Sequence, residues 1–176
     1  MYFHVKTTYT KDMIAELYKV ASVTTQKKLN TFPELFFRIG GIALIACGVV
    51  LLFMGGTPRQ IIISFVAGVF ALVYHKLVQK MISNSMWKNA PKDRLSNEFS
   101  FDDAAVHCDD GVDKLDIPYE NVFAIYETDS AFYVFPAKNQ SYILPKADFD
   151  TGESAGFKGF IEEKTGKTVG RIALKR

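Results

Sequence analysis

The sequence predicts a membrane α-helical hairpin joined to an α+β domain, in which a small antiparallel sheet or barrel is capped by a C-terminal helix. Three observations carry this. No charged residue falls between Ile39 and Gly56, and the run extends back through Leu35, Phe36 and Phe37 if Arg38 snorkels to the interface; about 20 residues suffice to cross a bilayer core. The turn Gly55-Gly56-Thr57-Pro58-Arg59-Gln60 then breaks the helix, and Ile61 to Tyr74 opens a second apolar run. Beyond Pro91 the pattern changes to short alternating segments separated by turn residues, which read as strands.

Taken in order, Tyr2 to Thr8 reads as one strand. Thr10 offers an N-cap, with Asp12 in the first turn. Met13, Ile14, Leu17, Tyr18 and Ala21 recur at helical spacing while Lys11, Glu16 and Lys19 lie off the stripe. Such a helix packs on protein or lies on a membrane surface, and the first is preferred. The second apolar run is short for a span, so its helix is expected to continue through His75-Lys76-Leu77-Val78. Gly40, Ala43 and Cys47 form one small-residue stripe and Ser64, Ala67, Gly68 and Ala71 another; the two are expected to face each other within the chain, with homodimerisation through one of them as the alternative.

The strands expected after the hairpin are Leu95 to Phe101, Ala104 to Asp109, Val112 to Ile117, Val122 to Thr128, Ala131 to Pro136 and Gln140 to Leu144. Asp110-Gly111 is the strongest hairpin signal, both residues tolerating the positive φ of a two-residue turn. A last helix follows Asp150, with Asp150 and Glu153 at capping-box spacing, Phe157, Phe160 and Ile161 as its apolar stripe and Gly166 as its stop. The chain thus divides into residues 1–34, a hairpin over 35–82 with helices at about 35–54 and 61–78, a linker over 83–94 and a domain over 95–176.

Charge sets orientation and excludes partners. The net charge of +2 hides an asymmetry: residues 1–94 carry 12 Lys+Arg against 4 Asp+Glu, and residues 95–176 carry 9 against 15. Lys19, Lys27, Lys28 and Arg38 precede the first apolar run and Lys76, Lys80, Lys88, Lys92 and Arg94 follow the second, whereas the loop between has only Arg59. The positive-inside rule then places both termini in the cytoplasm of a multi-pass protein, with Trp87 and Tyr74 marking the interface. The start Met1-Tyr2-Phe3-His4-Val5-Lys6 has no signal-peptide pattern, and two cysteines in different environments fit a reducing compartment. An acidic domain disfavours nucleic acid, whose binding is dominated by phosphate neutralisation.

No catalytic, cofactor-binding or metal-ligating constellation is read from the residues. Thr165-Gly166-Lys167-Thr168 resembles the tail of a phosphate loop, but Ile161 stands where that motif needs Gly, and the segment ends a helix instead of starting one. Asp102, Asp103, Asp109, Asp110 and Asp113 lack EF-hand spacing and read as turn solvation. His4, His75 and His107 are far apart in sequence, and Cys108 should point to the opposite face of its strand from His107.

Phe99 and Phe101, Ile117-Pro118-Tyr119-Glu120-Asn121-Val122, Phe132-Tyr133, and Ile143-Leu144-Pro145-Lys146 followed by Phe149 and the Phe157/Phe160 helix resemble the bacterial YcxB-like membrane protein family. The resemblance implies a PH-like C-terminal domain, strands rolled into a barrel and plugged by the last helix, at the cell inner membrane. It implies no activity; Pro145, Lys146 and Tyr119 are structural residues under it. The expected role is a membrane-anchored, non-enzymatic binding or regulatory protein whose partners are the lipid bilayer and a protein of unknown identity. A lipid or small-ligand sensor is the alternative, and an immunity-like or transporter-accessory subunit a third.

Overall fold

The computed structural model describes residues 3–25 and 27–174, with backbone alone at residues 27–31 and His75. Tyr2 as the start of the first strand, the side chains of Lys27, Lys28 and His75, and Lys175 and Arg176 lie outside the described residues. The elements are β1 (Phe3–Thr8), α1 (Lys11–Val23), α2 (Lys27–Phe53), α3 (Pro58–Asn89), β2 (Ser96–Phe101), β3 (Ala105–Asp109), β4 (Lys114–Pro118), β5 (Ala124–Glu127), β6 (Ala131–Ala137), β7 (Gln140–Pro145), β8 (Phe149–Thr151), α4 (Ser154–Thr165) and β9 (Gly170–Arg171). They form two compact units, residues 1–21 with 86–176, and residues 22–85. The sequence division at 34/35 and 94/95 is drawn differently, because β1 and α1 pack with the C-terminal strands and α3 runs on to Asn89.

The first unit is α+β, with two sheets where the sequence suggested one sheet or barrel. The first sheet has five strands in the order β4-β3-β2-β1-β8, all antiparallel. The second has four in the order β7-β6-β5-β9, with β9 parallel to β5. Their facing sides share one core, in which Phe3, Val5, Phe99 and Phe101 meet Ile125, Phe132, Val134 and Leu144, and α4 contributes Phe157, Phe160 and Ile161. The other side of the second sheet is buried as well: Ala131, Tyr133 and Phe135 pack with Val20 and Ala21, flanked by Met13 and Leu17 of α1. The uninterrupted apolar run of β6 follows from this, since a strand covered on both faces has no polar side to alternate with. The α1 stripe is therefore packed on protein.

Local chemistry accounts for the joints. The Thr10 hydroxyl accepts the Met13 N–H at 3.3 Å, as an N-cap should. Between β3 and β4 the connection is the four residues 110–113, not a two-residue turn. Asp110 receives the Val112 and Asp113 amides on its carboxylate, so Gly111 has the positive φ (82°) and Asp110 does not. The expected Asp150/Glu153 capping box is absent: Asp150 lies in β8, Glu153 is itself the N-cap of α4 without a side-chain bond, and α4 starts at Ser154. Gly152 turns the chain between them at φ 77°, and a Cβ there would lie 2.5 Å from the Phe3 ring. Gly166 ends α4 in the left-handed conformation, its N–H bonded to the Glu162 carbonyl.

Edge strand β7 is secured by the Tyr9 hydroxyl, which accepts the Ile143 N–H at 3.0 Å. Tyr9→Phe leaves a donor on a buried strand without a partner, and about 1–3 kcal/mol of stability should be lost. Denaturant unfolding of the full chain in detergent measures this; an unchanged midpoint would show that the bond contributes nothing.

In the second unit, Phe32–Phe53 is long and apolar enough to cross a membrane, its 22 residues spanning about 33 Å at 1.5 Å per residue. Leu35, Phe36, Ile39, Ile42, Val50 and Leu52 on it are exposed. The helix after the turn begins with a box in which the Thr57 hydroxyl accepts the Gln60 N–H and the Gln60 carboxamide oxygen accepts the Thr57 N–H. It continues past His75 as expected but is bent by 43° between Pro58–Tyr74 and Lys76–Asn89, and it meets the length and apolarity of a span only if both parts are counted together. The stripe by which α2 meets α3 is Gly41 and Gly48, not Gly40, Ala43 and Cys47. A Cβ on Gly41 would sit 2.9 Å from the Gly68 carbonyl oxygen, whereas Gly40 has open space and Cys47 is exposed. A helix advances about 100° per residue, so neighbouring small residues lie on different faces.

Candidate functional site

The outward face of the five-stranded sheet is polar because alternate residues of β1 to β4 point away from the core. Lys6, Glu98, Asp109 and Lys114 form one cross-strand row, and His4, Ser100, His107 and Asp116 the next. Two histidines organise this face. His4 on β1 meets Glu98 on β2 at 2.9 Å and Asp150 on β8 at 3.2 Å. The register of β1 against β8 shifts at His4/Val5, which makes Asp150 the extra residue of a bulge that aims its carboxylate at the ring. His107 on β3 meets Asp116 on β4 at 2.6 Å and Asp102, just past β2, at 2.9 Å. Between them the two imidazole rings bridge all five strands.

An imidazole can donate from both nitrogens only when protonated, so the carboxylates on both sides of His107 favour its cation. The His107 pKa is raised accordingly, first by the bond to Asp116 and then by that to Asp102. Asp102 is held down to about 2, mainly by the Ala105 amide, then by His107 and the Ala104 amide. The sign follows from linkage. The His107 bracket contributes stability that is fully present below the ordinary value of 6.5 and is lost as pH rises through the raised folded value. Stability should therefore fall as pH rises above 6.5, and His107→Gln should flatten that slope. Proton titration followed by NMR should show Asp116→Asn lowering the His107 pKa; a value indifferent to Asp116 would refute the bracket.

At one end of the sandwich, between β3, β4 and β7, an open cavity of about 440 Å³ has Cys108, Leu115 and Tyr142 on its wall, with Arg94, Asp110 and Asp113 among its rim residues. Burial pushes the Cys108 thiol up to about 11 and the Tyr142 hydroxyl up to about 12, so neither is ionised at neutral pH and Cys108 is a poor nucleophile. Arg94 binds both Asp113 (2.7 Å) and Asp110 (3.2 Å). A second cavity, of about 410 Å³, lies between α1 and the β5–β6 turn. There Glu16 accepts bonds from the Thr128 hydroxyl at 3.0 Å and the Ser130 hydroxyl at 2.8 Å.

The residues singled out from the sequence occupy structural places. Lys167 donates to the Val122 carbonyl beyond the end of α4, and Thr165 bonds the Ile161 carbonyl, so the Thr-Gly-Lys-Thr run is a helix stop. Asp102, Asp109 and Asp110 accept turn amides, and Asp103 pairs with Lys164 at 2.8 Å. Lys146 pairs with Glu127 at 2.6 Å and lies over the Phe132 ring; Tyr119 is buried and donates to the Asp102 carbonyl. Among the described residues no group of three His, Cys, Asp or Glu side chains is placed to hold a metal ion. No sequence pattern shows the histidine brackets, because their members are gathered by strand pairing from positions as far apart as His4 and Asp150.

No curated protein and no solved structure matches the chain. Residues 101–161, from the end of β2 into α4, match the family model described as YcxB-like protein, the family that the sequence motifs resemble.

Proposed function

We propose that the protein is a membrane-anchored, non-enzymatic binding module, whose PH-like first unit engages a protein partner at the cytoplasmic face of the membrane and whose α2 and α3 cross the bilayer as a hairpin. The observation that supports this most is the internal use of basic side chains in the acidic unit. Lys114, Lys146, Lys164 and Arg171 pair with Asp109, Glu127, Asp103 and Asp129, Arg94 pairs with Asp110 and Asp113, and Lys167 bonds a carbonyl. A headgroup site needs cations aimed outward at phosphate. The exposed apolar length of α2 supports the anchor.

The test is hydrogen exchange on the full chain in nanodiscs of phosphatidylcholine with and without phosphatidylserine. Exchange over β2–β4 and α4 should be the same in both. Protection that appears with phosphatidylserine and fades with salt would replace the protein partner with a lipid headgroup. Topology is checked in intact cells with a membrane-impermeant thiol reagent: Arg59→Cys should react and Asn139→Cys, at the exposed β6–β7 turn, should not. Labelling at Asn139→Cys alone would reverse the orientation.

A further inference from the structure

The β4 edge of the five-stranded sheet carries an inference that goes beyond a partner of unstated kind. β4 pairs with β3 on one side, and among the described residues no strand pairs with it on the other. The Asp110 N–H bonds the Asp113 carbonyl, and hydrogen-bonded pairs alternate along an antiparallel ladder. Leu115 and Ile117 therefore spend their backbone groups on β3, while those of Lys114 and Asp116 point outward. Leu115 stands opposite Cys108 and so shares the core-facing side of the sheet, yet it is 45% exposed because the cavity at the end of the sandwich leaves it uncovered. An inward-facing leucine on an open edge is a surface awaiting a neighbour.

Charge decides the neighbour. Lys114 and Asp116 flank Leu115 at equal spacing, both largely exposed on the outward face. We infer that β4 pairs antiparallel with β4 of a second copy about a two-fold axis at Leu115, joining the two sheets into one. In this register Lys114 of each copy faces Asp116 of the other, and these are the residues whose backbone groups point outward, so the ladder and the ion pairs coincide. Leu115 meets Leu115 on the core side, at a non-hydrogen-bonded position where side chains approach closest. The row across the junction reads Asp109, Lys114, Asp116, His107, alternating in sign when His107 is protonated. A slip of two residues either way sets Lys114 against Lys114 or Asp116 against Asp116, so like charges reject the wrong registers. The contact is isologous and closes at two copies.

The experiment uses the full chain in membranes, with Cys47→Ser and Cys108→Ala as background. Leu115→Cys should give a disulfide-linked dimer on mild oxidation, while Phe123→Cys, exposed but away from β4, should not. Lys114→Glu alone or Asp116→Lys alone should reduce the covalent dimer at least tenfold, and the two together should restore it, since the swapped charges again face each other. Restoration by the pair separates intermolecular complementarity from loss of the His107–Asp116 contact, which the double variant also lacks. Equal crosslinking at the two cysteine positions, crosslinking of Leu115→Cys to a different protein, or single reversals without effect would each overturn the inference. None of these results moves the nanodisc comparison, so the partner reading stands or falls separately.

Discussion

Phe157→Ala should unfold the sheet unit under conditions where the unaltered chain is folded. Phe157 is fully buried and its ring lies 4.9 Å from Phe101, 5.0 Å from Phe132, 5.3 Å from Phe149 and 5.4 Å from Phe3. It therefore joins α4 to both sheets. Truncating a buried Phe costs about 3–5 kcal/mol, a large part of the about 5–15 kcal/mol that holds a typical domain together. Phe160, with 8% exposure and a place at the margin of the same cluster, should cost less. Pulse proteolysis of the full chain in detergent would rank the two, and equal resistance of Phe157→Ala and unaltered protein would remove α4 from the core.

An equally large effect is expected from removing residues 1–21. β1 lies between β2 and β8, so its loss leaves two fragments of sheet with unpaired edges and strips Phe3 and Val5 from the core, while loss of α1 uncovers Tyr133 and Phe135. Residues 86–176 alone should show no cooperative thermal transition. Joining residues 1–21 to residues 86–176 through a glycine-serine linker in place of the hairpin should restore one. A cooperative transition in the shorter fragment would mean that β1 is dispensable.

These two expectations mark where the sequence was readable. The β6 run, the Phe157/Phe160/Ile161 stripe and the Gly166 stop are local patterns, and local patterns carry periodicity and capping directly. The partner of β1 is not local: a strand pattern shows which face is apolar but not which distant strand it lies beside. β8 has three residues, too few to show alternation, so in the sequence Asp150 reads as a helix cap, whereas in the fold it is a bulge residue facing His4. In the hairpin, Gly40 and Gly41 are adjacent, and composition alone does not choose between faces about 100° apart. The β4 edge is not legible in the sequence for a related reason, since Lys-Leu-Asp has no distinguishing pattern until the alternation of hydrogen bonds shows which backbones point outward.

The place of β1 in the sheet also constrains how the protein is made. Residues 3–23 leave the ribosome ahead of α2 and α3, and the strands that complete the sheet come after both helices, β8 nearly 150 residues after β1 begins. The first segment cannot be folded when the hydrophobic hairpin emerges, because its neighbours do not yet exist. Translation must therefore carry an unpaired strand and an amphipathic helix through the whole interval of hairpin synthesis, and closure of the sheet is a late, long-range step of the kind that loop entropy makes slow. During that interval β1 and the apolar stripe of α1 are exposed to any chaperone, protease or unfolded neighbour, so the yield of this protein should respond to translation speed between residues 24 and 149 more than to the stability of its finished core.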